Sequence, residues 1–289
     1  MKRPDLDARP MSEEEFRLLR ELVSSHCGIW FRDEMKFLLE RRLGPRLEAL
    51  GMRRFGEYHR FLRFDPGREA ELEEAIDLLT TNETYLWREP LQLGTFAREI
   101  LPELARANGP EKRLRILSAG CASGEEAYTL AVIVRESGLF EGWDASVLGV
   151  DISRRSLSQA RAGAYGDHAF RMPESEPMRR WFKLLGGKWV IDDAVRRMVR
   201  FSRDNLLGPA ALAGANALDA VFCRNVMIYF DTPARREVLR RFHEKLRPGG
   251  WLLLGHSESL LNVTADFEIV HLRGDLVYRR PRKPQEEAR

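Results

Sequence analysis

The chain has 289 residues and a mass of 33.4 kDa, which is enough for two domains of roughly 150 residues each. Hydrophobic residues make up 44% and charged residues 31% of the sequence, which excludes a disordered chain and a small disulfide scaffold. The formal net charge is only +3, from 47 Lys and Arg residues against 44 Asp and Glu residues, so we expect no nucleic acid among the partners.

The sequence indicates neither a membrane segment nor a metal site. The apolar runs are far shorter than the about 18 to 20 residues that cross a bilayer, and the N-terminus lacks a signal-peptide core, so we expect a cytoplasmic protein without membrane insertion. Cys27, Cys121 and Cys223 lie far apart without a Cys-x-x-Cys pair, and the six histidines are scattered without ligand spacing. We therefore expect reduced thiols and no metal.

Residues 1–80 are predicted to form an all-helical domain. Ser12 and Glu15 have the spacing of a capping box, in which a hydroxyl and a carboxylate accept hydrogen bonds from the free amides of the first helical turn. A second helix is expected from about residue 33, with five residues facing inward: Phe37, Leu38, Leu43, Leu47 and Leu50. An interruption or kink is expected near Pro45, because proline cannot donate into the helix ladder.

Charge is unevenly distributed within the helical domain. Residues 41–63 contain seven arginines and two glutamates, whereas residues 65–83 contain one arginine and seven acidic residues. The two segments are either solvated helix faces that partly neutralise each other or include a basic docking face for an acidic partner, and the sequence does not separate these interpretations. The candidate docking residues are Arg41, Arg42, Arg46, Arg53 and Arg54.

After about residue 110, short apolar strands alternate with helical stretches. This alternation is typical of parallel βαβ units and predicts a doubly wound α/β sheet. It is lost at residues 165–200, where we predict an inserted antiparallel subdomain with short strands at 188–191 and 198–201 around a turn. The charged tail from residue 279 is predicted to be frayed. The main strands are expected at 114–118, 147–150, 220–223 and 251–254, with helices from about 124, 153 and 233.

At residues 115–128 a strand runs into a turn of small residues and then into a helix. Small residues let backbone amides approach a ligand, as in the first turn of nucleotide-binding α/β folds. However, Gly120 and Gly124 lack the Gly-x-Gly-x-x-Gly spacing, and Glu125 and Glu126 at the helix start would repel a pyrophosphate. The loop disfavours NAD and suits S-adenosylmethionine, whose amine and sulfonium are cationic. A tight turn without a ligand is the alternative.

Two further strand ends carry polar residues. Asp151 follows the second predicted strand, where an acidic residue binds ribose hydroxyls in doubly wound folds, although a helix N-cap explains it about as well. Arg224, Asn225 and Tyr229 follow a buried strand among apolar neighbours, so their polar groups should face a pocket or satisfy one another. Residues 80–89, between the domains, are richer in aromatic and hydrogen-bonding side chains than an ordinary flexible linker.

Six segments together resemble the signatures of one family, the chemotaxis receptor protein-glutamate O-methyltransferases known as CheR. They occur in the family's order, and the resemblance covers essentially the whole chain up to Tyr278. Cys121 is a departure, because many relatives have only small residues such as alanine in that loop. The segments are TTNETYLWRE at 80–89, SAGCASGEEAYTLA at 118–131, DIS at 151–153, RDNLL at 203–207, FCRNVMIYFD at 222–231 and LRPGGWLLLGHSESL at 246–260.

The resemblance implies a Rossmann-like class I S-adenosylmethionine-dependent methyltransferase domain preceded by an all-α domain. The implied organisation is a substrate-recognition domain at 1–80, a linker contributing to the cofactor site at 81–92, and a methyltransferase domain at 93–289 with a small β-subdomain at about 165–200. Arg88 and Tyr229 would lie nearest the transferred methyl group. The implied cofactor-binding residues are Asn82, Thr84, Arg88, Gly120, Glu125, Asp151, Asn205, Leu206, Arg224 and Asn225.

The implied reaction is methylation of glutamate γ-carboxylates on methyl-accepting chemotaxis receptors, giving methyl esters and S-adenosylhomocysteine. The substrate carboxylate has an ordinary pKa of about 4.3 and is already ionised at neutral pH, so no general base is required. The helical domain would recognise the receptor's methylation helices, and in some family members the β-subdomain binds a receptor C-terminal pentapeptide. We expect a cytoplasmic monomer associated peripherally with receptor arrays.

Other functions stay open on the residues alone. A methyltransferase could use another acceptor, such as RNA or a small molecule, and a non-catalytic module could bind the cofactor as a sensor. A nicotinamide oxidoreductase is disfavoured by the loop after the first strand. His256, Ser257 and Glu258 invite a hydrolase interpretation, but the Gly-x-Ser-x-Gly turn is missing, and a loop that shapes the pocket is the better hypothesis.

Overall fold

The structure, a computed structural model, describes residues 10–282, which divide into two compact units. The first unit runs to Thr81 and includes the short segment Tyr229–Asp231, and the second comprises Asn82–Ile228 and the chain from Thr232 onward. No helix within the described part of the chain is both long and apolar enough to cross a membrane.

From residue 10 onward, the regular elements of the first unit are all helices, as predicted. The capping box at the start of its first helix is confirmed, because Ser12 Oγ accepts from the Glu15 amide at 3.2 Å and Glu15 Oε2 accepts from the Ser12 amide at 2.8 Å. Its helices are α1 (Glu13–Cys27), α2 (Lys36–Ala49), α3 (Phe55–Phe64) and α4 (Arg68–Leu79), and a 3₁₀ turn, Asp33–Met35, precedes α2.

Helix α2 departs from the sequence prediction in two ways. It runs without interruption through Pro45, and Phe37 is 62% exposed, so the inward orientation expected for Phe37 is wrong. The inward orientation predicted for Leu43 and Leu47 is confirmed. They form the buried stripe with Leu39, because residues four apart lie on one helix face.

The described residues of the second unit form ten strands and the remaining helices. The strands are β1 (Arg113–Ala119), β2 (Asp144–Asp151), β3 (Ala164–Tyr165), β4 (Phe182–Leu185), β5 (Lys188–Ile191), β6 (Val199–Arg203), β7 (Leu218–Cys223), β8 (Leu246–Leu254), β9 (Glu268–His271) and β10 (Leu276–Arg279). The helices are α5 (Pro90–Thr95), α6 (Leu101–Ala107), α7 (Glu125–Glu136), α8 (Arg154–Ala162), α9 (Asp193–Arg196) and α10 (Thr232–Lys245). A π-helical turn, Phe96–Ile100, joins α5 to α6.

Seven strands form the main sheet in the order β6-β2-β1-β7-β8-β10-β9. The pairs β6-β2, β2-β1, β1-β7 and β7-β8 are parallel, whereas β10 is antiparallel to both β8 and β9. All six residues of β7 are buried, as expected for a central parallel strand covered on both faces. One face packs on the π-helical turn, where the rings of Phe96 and Phe222 meet edge to face at 4.9 Å. The predicted α/β class is confirmed.

The inserted subdomain differs in part from its prediction. Strands β3, β5 and β4 form a separate antiparallel sheet in that order, and β4 and β5 make the hairpin. The segment predicted as a strand of this subdomain at 198–201 instead belongs to β6, which pairs in parallel with β2 in the main sheet. A turn was predicted between the two strands, but the chain there forms the start of α9. Asp192 is its N-cap, and Asp192 Oδ1 accepts from the Ala194 amide at 2.8 Å.

The chain end is ordered further than expected. Arg279 ends β10, and the amide of Arg280 donates to the Gly250 carbonyl oxygen at 2.8 Å, so fraying does not begin at residue 279. The remainder of the predicted frayed tail, residues 283–289, lies outside the described residues.

A buried polar cluster ties together the amino-terminal ends of the central strands. Asp219, the second residue of β7, has no exposed surface and accepts from Asn108 Nδ2 at 2.8 Å and from the Arg115 amide at 2.7 Å. Arg247 at the start of β8 pairs with the same carboxylate at 3.0 Å. This cluster is structural and lies at the sheet edge opposite to the predicted cofactor residues.

Candidate active site

The predicted cofactor residues of the sheet unit follow the carboxyl ends of parallel strands. Parallel strands place these ends at one edge of the sheet, and the order reverses between β1 and β7, which is where ligands bind in doubly wound folds. The segments after β1 and β6 both donate hydrogen bonds to the end of β2. The Gly120 amide donates to the Val150 carbonyl oxygen at 2.8 Å, and the Asp204 amide donates to the Asp151 carbonyl oxygen at 3.0 Å.

Glycine is required in the loop after β1 because of its neighbours. Gly120 has φ +72°, and a Cβ there would overlap the Cγ2 methyl of Val226. Gly124 has φ +92°, and a Cβ there would lie 2.9 Å from both Ala160 Cβ and Phe201 Cζ. Both backbone conformations disfavour any side chain. The small residues therefore let the loop pack against the loop after β7, α8 and β6, a role that the sequence pattern alone did not indicate.

Asp151 holds the loops after β1 and β2 together. Its Oδ2 accepts from the Ala122 amide at 2.8 Å and its Oδ1 accepts from the Ser153 amide at 2.9 Å. The alternative that Asp151 is the N-cap of the next helix is wrong, because Ser153 caps α8 through its hydroxyl. One carboxylate oxygen can accept two hydrogen bonds, so accepting from a backbone amide does not prevent it from also accepting from a ribose hydroxyl.

Glu125 is a buried carboxylate without a cation beside it. Its residue is 2% exposed, its side chain accepts from Ser123 Oγ at 2.8 Å, and no Lys or Arg among residues 10–282 forms an ion pair with it. Burial raises the pKa of Glu125 to about 7, because the ionised form loses its hydration. A cationic ligand group beside this carboxylate would remove that penalty.

Arg224 is paired within the protein. Its side chain is 2% exposed, and its Nε donates to Glu126 Oε2 at 2.7 Å. Ser118 Oγ donates to the other oxygen of Glu126, and Gln92 Oε1 accepts from Arg224 at 3.4 Å. Glu126 is therefore a structural partner of Arg224, and only Glu125 of the two adjacent acids is left for a ligand cation.

Asn225 follows directly with a left-handed φ of 57°, an uncommon conformation for a residue other than glycine. Its Oδ1 atom is buried and accepts no hydrogen bond from the described residues. A buried acceptor of this kind costs free energy until a donor reaches it, so it points to a bound ligand.

The segment after β6 carries Asn205 and Leu206, which are half-buried and buried. Asn205 Oδ1 accepts from the Leu207 amide at 3.1 Å. Arg241 of α10 donates to the carbonyl oxygens of Leu206 at 2.8 Å and Gly208 at 2.6 Å. Side-chain contacts from a helix thus fix the backbone of this loop.

The segment predicted as a linker is packed as part of the sheet unit. Leu86 is fully buried and its amide donates to the Ala169 carbonyl oxygen at 3.0 Å. Trp87 and Glu89 have positive φ angles of 61° and 59°, which cost free energy and are concentrated at functional sites in proteins.

The segment also carries three predicted cofactor-binding residues, of which Arg88 is partly exposed. Its Nη1 donates to the Glu83 carbonyl oxygen at 2.9 Å. Asn82 and Thr84 are also partly buried here.

Tyr229 belongs to the first unit. Its carbonyl oxygen accepts from the Trp30 amide at 2.8 Å, and the next residue, Phe230, forms an isolated antiparallel bridge with Ile29. The structure thus describes Tyr229 with the helical unit, whereas Arg88 and the other predicted cofactor-binding residues lie in the sheet unit.

Two of the five predicted docking arginines are occupied within the first unit. Arg42 donates to the Leu79 carbonyl oxygen at the end of α4, at 2.6 Å. Arg46 forms a two-pronged pair with the buried Glu71, at 2.8 and 2.5 Å. The arginines that remain exposed to solvent are Arg41, Arg53 and Arg54.

Glu89 and Gln92 lie in the predicted linker and Glu258 in the loop predicted to shape the pocket, but the sequence assigned none of them a contact in this region. Glu89 Oε2 lies 3.9 Å from Arg224 Nη1, and its Oε1 lies 3.1 Å from His256 Nδ1. The available signal was the placement of Arg224 in an apolar strand exit, because a buried guanidinium requires a carboxylate partner somewhere in the fold.

Comparison with known proteins decides the family. The family model described as CheR methyltransferase, SAM binding domain, matches residues 82–275, and the CheR methyltransferase all-alpha domain matches residues 14–80. The chain belongs to the CheR methyltransferase family. It is therefore an S-adenosylmethionine-dependent methyltransferase, and the predicted class I methyltransferase fold is confirmed.

Several curated relatives of this CheR family member align with almost all of it. "Chemotaxis protein methyltransferase 2" of Vibrio cholerae is 33% identical over 94% of this chain and 95% of its own length. "Chemotaxis protein methyltransferase 1" of Pseudomonas aeruginosa is 35% identical over 92% of this chain and 97% of its own length. "Chemotaxis protein methyltransferase" of Klebsiella aerogenes is 35% identical over 93% of this chain and 90% of its own length.

The residues at the carboxyl edge of the CheR sheet fit S-adenosylmethionine. The uncompensated carboxylate of Glu125 suits its methionyl ammonium group, Asp151 suits its ribose hydroxyls, and the orphan Asn225 Oδ1 requires a donor. No group of three or more His, Cys, Asp and Glu side chains in residues 10–282 is arranged to hold a metal ion.

The raised pKa of Glu125 predicts a pH dependence of cofactor binding. Below pH 7 the carboxyl is protonated in the free enzyme and must release its proton to pair with an ammonium group. Affinity for S-adenosylhomocysteine should therefore rise by about tenfold per pH unit below pH 7 and level off above it.

Calorimetry in buffers of different ionisation enthalpy would measure both the affinity and the proton release. The Glu125→Gln variant should bind weakly at every pH and release no proton. A wild-type affinity that stays constant from about pH 5.5 to 7.5 would contradict the assignment, since the cofactor's own α-amine titrates only near pH 8.

Proposed function

We propose that this enzyme transfers the methyl group of S-adenosylmethionine to the γ-carboxylate of glutamates on chemoreceptors. The observation that carries the proposal is the agreement of both domains, over more than nine-tenths of the chain, with relatives named chemotaxis protein methyltransferases. Such a substrate would bring the enzyme to the cytoplasmic part of receptor arrays.

The chemistry requires little acid–base assistance. A glutamate with its ordinary pKa of about 4.3 is ionised at neutral pH, and its oxygen can attack the methyl carbon directly. The oxygen–carbon bond forms as the carbon–sulfur bond breaks, and its electron pair stays on sulfur, so the products are the methyl ester and S-adenosylhomocysteine. The cofactor supplies an activated methyl group, and no proton is transferred.

The protein's contribution is therefore binding and orientation in a site that excludes water. Alignment of a nucleophile with a reacting carbon is worth up to about 7 to 11 kcal/mol in favourable cases. We assign Arg88 to orient the substrate carboxylate and Tyr229 to border the methyl group, neither acting as acid or base. Glu125, Asp151 and Asn225 would hold the cofactor.

Recognition of the acidic receptor helices is assigned to the exposed arginines of the helical unit. Arg41, Arg53 and Arg54 are exposed, whereas Arg42 and Arg46 are bound to groups of their own unit. We therefore propose that Arg41, Arg53 and Arg54 bind the receptor helices and that Arg42 and Arg46 do not.

Charge reversal at both Arg53 and Arg54 should lower receptor methylation by about tenfold or more, because opposed charges steer association and like charges repel. The affinity for S-adenosylhomocysteine should be unchanged. The matched control is Arg106→Glu with Lys112→Glu, which changes net charge equally at two exposed positions of the sheet unit. Equal methylation rates for the two double variants, at low salt, would remove the docking role.

The small sheet offers a second contact with receptors. Strand β4 is an edge strand, and Leu184 and Leu185 on it are 59% and 58% exposed. Exposed edge strands accept extended peptides through backbone hydrogen bonds. We propose it as the docking strand for a receptor C-terminal peptide, in receptors that carry one.

The direct test is transfer of radiolabelled methyl from S-adenosylmethionine to receptor-containing membranes, followed by mild alkali. Label in a receptor-sized band that is released as volatile methanol would support a carboxyl methyl ester. Label that resists alkali, or enters RNA or a small molecule, would indicate another acceptor. Tight cofactor binding without transfer to any supplied receptor would favour the sensor hypothesis.

A further inference from the structure

The loop after β8 places one carboxylate beneath the loop that follows β7. Glu258 Oε2 accepts from the amides of Asn225 and Gly255, each at 2.8 Å. Glu258 Oε1 accepts from the amides of Val226 at 3.1 Å and Ile228 at 3.2 Å. A single side chain thus binds four backbone amides, three of which belong to the segment carrying Asn225.

The neighbouring glycine shows how closely this contact is built. A Cβ at Gly255 would lie 2.9 Å from the Asn225 amide nitrogen, from Asn225 Nδ2 and from Glu258 Oε2. No side chain fits at Gly255 without displacing one of these groups. The Gly-His-Ser-Glu sequence therefore fixes the backbone around Asn225. A hydrolase would require Glu258 to bind His256, but Glu258 binds backbone amides instead.

The segment that Glu258 binds has a conformation that needs support. Asn225 has a φ of 57°, and its buried Oδ1 accepts no hydrogen bond from the described residues. The backbone strain and the orphan acceptor both favour relaxation of the segment to another conformation. Two hydrogen bonds to Glu258, on Asn225 and Val226, lie directly at the strained residue.

We propose that Glu258 is a positioning residue for cofactor binding, which acts by holding the Arg224–Asn225 segment in its binding conformation before the cofactor arrives. It touches neither the substrate nor the cofactor in this role. If the competent conformation is populated only in part, the apparent dissociation constant rises by the inverse of that fraction. The inference concerns the cofactor alone and does not depend on which acceptor is methylated.

The first test is the Glu258→Gln variant. It keeps the shape but replaces one carboxylate oxygen with an amide group, which leaves two backbone amides without an acceptor. The dissociation constant for S-adenosylhomocysteine, measured by calorimetry, should rise by about 10- to 100-fold. The KM for S-adenosylmethionine should rise similarly, while kcat at saturating cofactor should change by less than about threefold.

A second variant, at Gly255, disturbs the contact between Glu258 and Asn225 without changing the carboxylate. Gly255→Ala keeps the carboxylate but pushes it away from Asn225, so it should also weaken cofactor binding. The matched control is Asp219→Asn, which removes a buried carboxylate that accepts from a backbone amide at the opposite edge of the sheet. This control should lower the melting temperature without changing cofactor affinity.

Hydrogen exchange of the wild-type enzyme gives a readout that needs no variant. The amides of Asn225, Val226 and Ile228 should be protected in the free enzyme to nearly the level seen with cofactor bound. The proposal would be overturned if these amides exchanged freely until cofactor was added. It would also be overturned if Glu258→Gln bound cofactor as wild type while losing as much stability as Asp219→Asn.

Discussion

Replacement of Asp151 by alanine is expected to weaken binding of S-adenosylmethionine by at least about 100-fold, because hydrogen bonds to a charged group are worth about 1.5 to 3 kcal/mol each. Two losses combine in this variant. The ribose hydroxyls lose their assigned acceptor, and the amides of Ala122 and Ser153 lose the carboxylate that joins the loops after β1 and β2.

The matched control for Asp151→Ala is Ser153→Ala. Ser153 caps α8 through a 3.1 Å hydrogen bond to the Ser156 amide, so its loss should cost about 0.5 to 2 kcal/mol of stability. Cofactor affinity should change little in this control. Calorimetry with S-adenosylhomocysteine would compare the two variants at equal temperature. Equal losses of affinity would show that Asp151 acts on helix α8 and not on the ribose.

Gly120→Ala is expected to destabilise the protein by about 3 kcal/mol, since a side chain at positive φ costs about 1 to 2 kcal/mol and overpacking adds about 1 to 3 kcal/mol. The added methyl group would overlap the Cγ2 methyl of Val226 and separate the loops after β1 and β7. Cofactor binding should fall with stability, because both loops carry predicted binding residues.

Two comparisons separate the overlap from the backbone strain. Gly186→Ala has the same kind of positive φ, 56°, with no atom within 4 Å of the new Cβ, and should cost only about 1 kcal/mol. Val226→Ala should partly rescue Gly120→Ala, because it removes the overlapping methyl group. Urea unfolding and cofactor titration would measure both effects. A double variant no better than Gly120→Ala alone would show that strain, and not contact, dominates.

Most of the strands that the sequence located are largely buried; β5, which was predicted with its correct bounds, is the exception because only its last residue, Ile191, is buried. Strands β1 and β7 contain short apolar runs, Ile116–Leu117 and Ala220–Cys223, whose residues are all buried because both faces of the sheet are covered, and such runs are easily recognised. Strand β6 was misassigned because it is an edge strand with only partly buried or exposed residues. Strands β9 and β10 were missed for a related reason, because they are short and β9 has no buried residue.

In the candidate site, too, the sequence reveals residues that follow a local pattern and not contacts between distant residues. Glu125 and Asp151 could be found because each follows a recognisable strand or turn. The pairing of Glu126 with Arg224, and of Glu258 with the Asn225 amide, joins residues far apart in sequence. No local pattern contains such a contact. Periodicity also failed for Phe37, since a helical stripe several residues wide does not say which of its edges reaches solvent.

Carboxyl methylation of receptor glutamates is tested most directly by mapping the transferred methyl group on a methylated receptor by proteolysis and tandem mass spectrometry. We expect methyl groups on glutamate side chains of the receptor's methylation helices, lost after mild alkali, and none when Asp151→Ala replaces the wild-type enzyme at limiting cofactor. Methyl groups on lysine or arginine nitrogen, or on glutamate but stable to alkali, would contradict carboxyl methylation.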